Sequence, residues 1–171
     1  MVTYNADGLI SKIEVFKYMN TPDQQNELYE LTYASKQLIQ VSVSTKNSGQ
    51  WKLSEEHIYS YTGNNIIKSV EKDYSLGVLM DTDSATYTYD NKPNYLKKQS
   101  PQFILTDPFF FTGDYSPYYP MFLSENNIIK VANMIDPSDV VNFTYEADNK
   151  DNVTQIKIDG TPALKYIYGC P

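Results

Sequence analysis

Few residues of this chain have the type and spacing that catalysis requires. The single histidine, His57, alternates with Tyr59 and Tyr61, which predicts that it shares one face of a β-strand with them. A catalytic histidine would need an oriented acid or a nucleophile, and no such motif surrounds it. The lone Cys170 has no disulfide partner and no fixed base beside it in the sequence. We therefore expect no catalytic residues and no enzyme activity.

Two groups of acidic residues suggest metal or glycosidase chemistry. Asp81 to Ser84 resembles the beginning of a calcium-binding loop, but the central glycine and terminal glutamate of that loop are missing. We interpret it as a solvated turn before a strand at 85–89, with a metal site as the alternative. Asp107 and Asp114 resemble a glycosidase carboxylate pair, yet acids near proline, glycine and threonine are typical of turns. The expectation is that the chain has no metal and no cofactor.

An aromatic segment is the one feature that favours ligand binding. Residues 101–120 contain four prolines, four phenylalanines and three tyrosines, and proline excludes them from a central strand. One interpretation is that the phenylalanines fill the interior of a curled sheet. The other is that exposed rings bind flat sugar faces or short peptides. The candidate ligand-binding residues are Phe109, Phe110, Phe111, Tyr115, Tyr118 and Tyr119.

The elements around these residues are predicted by a tyrosine-marked repeat. Tyrosines at 4, 33, 61 and 89 each precede a short polar stretch and a second apolar run. Polar stretches such as Asp-Gly and Gly-Asn-Asn tolerate the positive φ of tight turns, so each unit is predicted to be a β-hairpin. The fold prediction is all-β: an antiparallel meander of about 10–12 strands, curled into a barrel or partly open barrel.

The repeat also predicts how the hairpins are connected. Longer polar connections are expected at 20–26, 46–49 and 73–84, and residues 24–30 could hold a helical turn. Residues 1–171 are expected to form one domain, interrupted by the irregular aromatic segment.

Composition limits the partners and the compartment. The net charge is −7 and all 14 basic residues are lysine, which argues against a nucleic-acid partner. No apolar run approaches the roughly 18 residues of a membrane-spanning helix, so no transmembrane span is expected. Met1 is expected to be an added start residue, because the next residues read as the middle of a repeat.

The sequence also resembles two groups of known proteins. The blocks YNADGLI (residues 4–10) and YTYD (residues 87–90) resemble the YD repeat of Rhs-type surface proteins, although the chain is too short to form their enclosing shell. The Asn-Asn-Ile-Ile-Lys pair at 64–68 and 126–130 and the ending YIYGC resemble a family of secreted bacterial lipoproteins of unknown function with a porin-like fold. The resemblance implies a curled meander and an exported protein with a possible lipid anchor, and it implies no catalytic residues.

These observations leave three functions in order of preference. The first is a non-catalytic cell-envelope or extracellular module that binds a glycan or peptide. The second is a structural module that pairs with a partner through its sheet edges. The third is an enzyme. A membrane porin is disfavoured because segments such as Ile13-Glu14-Val15 lack an uncharged lipid-facing band. The sequence leaves the oligomeric state open.

Overall fold

The chain folds into one antiparallel β-meander. The computed structural model describes residues 1–17, 25–47, 49–94, 120–150 and 152–165. In these residues each strand pairs with the next one along the chain, in the order β1 to β11. The all-β meander predicted from the sequence is therefore confirmed. The strands are β1 (Val2–Tyr4), β2 (Ile10–Lys17), β3 (Gln25–Ala34), β4 (Gln37–Asn47), β5 (Gln50–Thr62), β6 (Asn65–Ser75), β7 (Val78–Pro93), β8 (Asn126–Asn133), β9 (Val140–Ala147), β10 (Val153–Ile158) and β11 (Thr161–Lys165), with a short helix α1 (Pro120–Leu123) between β7 and β8.

Each marker tyrosine lies directly opposite a buried aliphatic residue of the next strand. Tyr61, for example, is opposite Ile66, which is completely buried. The register shifts immediately before the marker tyrosine, so that the next strand carries one extra residue as a β-bulge. This bulge explains the paired isoleucines: Ile66 points into the core, whereas Ile67 is 41% exposed. The same pairing and shift recur at Tyr4 with Ile10, Tyr33 with Leu38 and Tyr89 with Ile128.

The tyrosine hydroxyls connect neighbouring hairpins. The Tyr61 hydroxyl donates a 2.8 Å hydrogen bond to the Leu38 carbonyl, and Tyr145 bonds the Ile128 carbonyl at the same distance. Tyr89 makes the equivalent bond to the Ile66 carbonyl. These rings are partly buried, and burial raises the pKa of Tyr89 to about 12. Tyr61 and Tyr89 therefore each pack against one strand and donate a hydrogen bond to the strand before it.

The hydrophobic core lies on one face of the sheet, which we call the core face. It includes Tyr29, Val41 and Val43, none of them more than 3% exposed, and it extends from β2 to β10 as one cluster. Met121 of α1 packs against the same cluster. Ser124, just after α1, accepts a hydrogen bond from the Ile66 amide at 3.1 Å. The end of the chain segment that precedes β8 is thus attached to β6.

Two local predictions, a polar connection at 73–84 and a helical turn at 24–30, are wrong, because the described residues of both segments belong to strands. Residues 73–84 form the end of β6 and the start of β7, joined by a two-residue turn at Leu76 and Gly77 with φ values of 52° and 85°. Residues 25–30, predicted to hold a helical turn, belong to β3. The connection expected at 46–49 falls where β4 ends at Asn47 and β5 begins at Gln50. Cross-strand pairing outweighed local polarity in each case.

The sheet is open. Within the described residues, β1 pairs only with β2 and β11 pairs only with β10, so both remain edge strands. Every residue of these two strands is exposed. No helix in the described part of the chain is long and apolar enough to cross a membrane.

The tyrosine hydrogen bonds yield a prediction with a matched control inside the repeat. Replacing Tyr61→Phe removes the bond to the Leu38 carbonyl and should lower the free energy of unfolding by about 1 kcal/mol. Tyr33 occupies the same repeat position, but its buried hydroxyl has no hydrogen-bond partner among the described residues. Tyr33→Phe should therefore be neutral or stabilising. Urea denaturation checks both variants, and equal losses would contradict the assignment.

Candidate functional site

The candidate residues of the aromatic segment lie outside the described residues. This holds for Phe109, Phe110, Phe111, Tyr115, Tyr118 and Tyr119, and also for Asp107, Asp114 and Cys170. Their proposed roles therefore stay predictions from the sequence. Among the described residues, a cluster of ionisable side chains lies in a different part of the chain, on strands β5, β6 and β7.

The pairing register places six ionisable side chains on the core face. Residues directly opposite each other in an antiparallel sheet lie on the same face. Val43, which is in the core, is opposite Glu55 on β5. Glu55 in turn is opposite a residue of β6, and that residue is opposite one of β7, so the paired residues form a row across the strands. Val41, which is opposite His57, begins a second row of paired residues next to the first. We call these six residues the acidic patch: Glu55, Asp73 and Asp81 in one row, and His57, Glu71 and Asp83 in the next.

His57 is the centre of the acidic patch. Its side chain is 3% exposed, and its ring lies between two carboxylates. Nε2 is 3.6 Å from the Glu55 Oε2, and Nδ1 is 3.9 Å from the Glu71 Oε2. The glutamates are 22% and 28% exposed. The histidine is thus removed from water, while the carboxylates that face it remain within reach of solvent.

The three aspartates form the exposed side of the patch. Asp73, Asp81 and Asp83 are all exposed, although they share the face that elsewhere forms the core. Burial raises the pKa of the Asp73 carboxyl, the negative charges of Glu55 and Asp81 raise it further, and His57 lowers it. This part of the face therefore has a negative potential that a cation or a hydrogen-bond donor would relieve.

On the opposite face of the same strands, the acidic residue Glu56 has partners that offset its charge. Glu56 points away from the core face, and Lys72 lies 3.7 Å from its carboxylate. The Tyr74 hydroxyl and the Gln40 side-chain amide donate hydrogen bonds to Glu56 at 2.6 Å and 2.9 Å. Glu56 thus has a cation and two donors from neighbouring strands, whereas the row opposite Glu55 continues with two further carboxylates.

The acidic patch costs stability, which makes it a candidate functional site. Like charges directly opposite each other in a sheet are destabilising, and the row of Glu55, Asp73 and Asp81 contains two such pairs. Positions on a core face are normally apolar, and departures from this rule are expected at functional sites. The six residues could accept hydrogen bonds from a polar ligand. In addition, Glu55, His57 and Glu71 each offer one ligand atom, and these atoms lie within 4.8 Å of one another.

Sequence reasoning missed the patch for an identifiable reason. His57 does share a strand face with Tyr59 and Tyr61, as predicted, since the three alternate along β5, His57 and Tyr59 are buried, and Tyr61 packs against the core cluster. The prediction of a turn at Asp81 to Ser84 is wrong, because these residues belong to β7. The sequence does contain a pattern that could have indicated the patch. On three consecutive strands, two acidic residues or an acid and the histidine are separated by one residue: Glu55-x-His57, Glu71-x-Asp73 and Asp81-x-Asp83.

Comparisons with known proteins identify the fold. No protein-family model and no curated protein sequence matches this chain. A porin-like protein from Bacteroides vulgatus matches 92% of the chain at 14% identity with a TM-score of 0.31. A crystal structure of a porin-like protein from Bacteroides uniformis matches 95% of the chain with a TM-score of 0.54 and 12% identity, and the chain spans 65% of the length of that protein. The match to the Bacteroides uniformis protein shows that the fold is porin-like, as the sequence resemblance implied.

The repulsion within the patch can be tested by removing one charge. Asp73→Asn leaves the size of the side chain unchanged and removes the negative charge between Glu55 and Asp81. Because both like-charge pairs are lost, the free energy of unfolding should rise by about 0.5 kcal/mol at low salt. The gain should shrink in 1 M salt, where charges are screened within about 3 Å. Urea denaturation in EDTA measures it, with Asp7→Asn at an exposed turn as the control. A loss of stability in Asp73→Asn would contradict the repulsion.

Proposed function

We propose that this chain is a non-catalytic binding module of the bacterial cell envelope, and that its acidic patch contacts the ligand. The observation that carries the proposal is the placement of six ionisable residues on the core face of three adjacent strands, with three aspartates left open to solvent. A sheet that only needed to fold would place apolar side chains there.

The envelope assignment draws support from the fold. The structure with the TM-score of 0.54 is described as a porin-like protein from Bacteroides, and the sequence resembles secreted bacterial lipoproteins. The structural match supports an envelope location. The sequence resemblance is the support for export from the cytoplasm and for a lipid anchor. The acidic composition, with a net charge of −7, agrees with a protein that does not bind nucleic acid.

The charge of the patch limits the ligand. Carboxylates accept hydrogen bonds from sugar hydroxyls and attract ammonium groups, whereas they repel sulfate, phosphate and uronic acid groups. The ligand that fits is therefore an uncharged or amino-bearing glycan, or a peptide with positive charge. Polyanionic glycans do not fit this face.

The aromatic segment is a second candidate contact region. Its candidate residues lie outside the described part of the chain, so variants of the segment and variants of the patch test the two regions one at a time.

Array binding with paired variants tests the proposal. Wild-type protein should bind a subset of neutral or cationic ligands on a glycan and peptide array. The double variant Asp81→Asn with Asp83→Asn should reduce that binding at least tenfold, because each carboxylate lost removes a charge-assisted contact. The triple change of Tyr115, Tyr118 and Tyr119 to Ala tests the aromatic segment. Asp7→Asn with Asp139→Asn provides the same change in net charge at exposed turns.

Two outcomes would overturn this function. One is the absence of any ligand on the array, and the other is binding that the double variant leaves unchanged, which would remove the acidic patch as the contact. A second candidate function, assembly through strand edges, rests on the full exposure of β1 and β11. It replaces the first if the protein binds no ligand but self-associates in light scattering as its concentration rises.

A further inference from the structure

The geometry points to a divalent transition-metal site formed by Glu55, His57 and Glu71. All three are on the core face, with Glu55 and His57 on β5 and Glu71 directly opposite His57 on β6. The inference goes beyond the binding function proposed above, because a metal can bind here whether or not a glycan or peptide does.

The donor atoms lie close enough together to reach one ion after a side-chain rotation. Zinc binds nitrogen and oxygen ligands at about 2.0–2.2 Å, so the ligand atoms of a tetrahedral site lie roughly 3.4 Å apart. The Glu55 carboxylate is 3.6 Å from Nε2 of His57, whereas the Glu71 carboxylate is 3.9 Å from Nδ1, the other ring nitrogen. An ion binds only one of these nitrogens, so one glutamate must turn toward the nitrogen that the other glutamate faces. One donor atom from each residue fits within 4.8 Å. The partly exposed glutamates can close the remaining gap by rotation.

The buried imidazole separates this cluster from an ordinary acidic surface. Acidic residues alone are common on exposed faces, whereas this histidine is 3% exposed and is the only histidine in the chain. Because the sheet holds the buried ring in place, the partly exposed glutamates are the groups that must move when an ion binds. Because the carboxylates are 22% and 28% exposed, an ion can reach the ring from solvent.

The donor set selects the class of ion. One imidazole nitrogen and two carboxylate oxygens suit Zn²⁺, Mn²⁺ or Co²⁺. Calcium prefers six to eight oxygen ligands, and a thiolate site would need cysteine, which is absent from the cluster. Three protein ligands leave at least one coordination position for water or for a group on a bound ligand. Asp73, Asp81 and Asp83 lie on the β6 and β7 side of the site and increase the local concentration of cations.

The single histidine makes the site simple to test. The full chain, carrying Cys170→Ser so that its only thiol cannot bind metal, is stripped with EDTA and titrated with Zn²⁺ by calorimetry at pH 7.5. We expect saturable binding of one ion at micromolar concentration or below. Because the chain has one histidine, its imidazole ¹⁵N signals are unambiguous, and Zn²⁺ should shift one ring nitrogen. Ca²⁺ titrated in parallel should leave them unchanged.

Isosteric variants separate metal binding from folding. Glu71→Gln and Glu55→Gln keep the shape of the side chain and should each weaken Zn²⁺ binding at least about tenfold. Glu56→Gln, on the opposite face of β5, makes the same charge change and should leave the affinity unaltered. The site is overturned if no saturable binding occurs below 1 mM, if the ring signals do not move, or if all three variants bind alike. A failed ligand array would leave these outcomes unaffected, so the two proposals fail separately.

Discussion

The structure depends on one constraint, the register that each marker tyrosine and its bulge impose on a hairpin. Because side chains alternate along a strand, a shift by one residue would exchange the two faces of the sheet. The extra residue after Ile66 absorbs such a shift, so that Ile66 stays in the core and Ile67 points to solvent. The tyrosine hydroxyl then bonds the preceding strand, as Tyr61 does with Leu38. Repetition of this unit sets the faces of the whole meander.

The acidic patch is a consequence of the same register. Along β5, the alternation that brings Tyr61 and Tyr59 to the core face also brings His57 and Glu55 there. The patch therefore lies on the continuation of the core, with its aspartates beyond the region that packing covers. Its carboxylates repel one another across the strands, and the open sheet tolerates this because one end of the face is open to solvent. A polar ligand or an ion would convert that cost into binding energy.

The fold was predictable to a greater extent than the site. Period-two alternation and turn residues after Tyr33 and Tyr61 are local signals, and they give the hairpins and their order directly. The end of β6 and the start of β7, within 73–84, were not predictable from composition, because their β-structure depends on pairing with each other rather than on apolar content. Once these strand segments are missed, the acids on them cannot be placed beside His57. The site is therefore visible only when the cross-strand register is known.

Cross-strand contacts observed by NMR test this register most directly. Nuclear Overhauser effects between backbone protons should link Glu55 with Asp73, His57 with Glu71, and Asp73 with Asp81. These contacts would place all five residues on the face that carries Val41 and Val43. Contacts shifted by one residue, such as Glu56 with Asp73, would turn the acids of one strand to the opposite face. That result would contradict both the acidic patch and the metal site built on it.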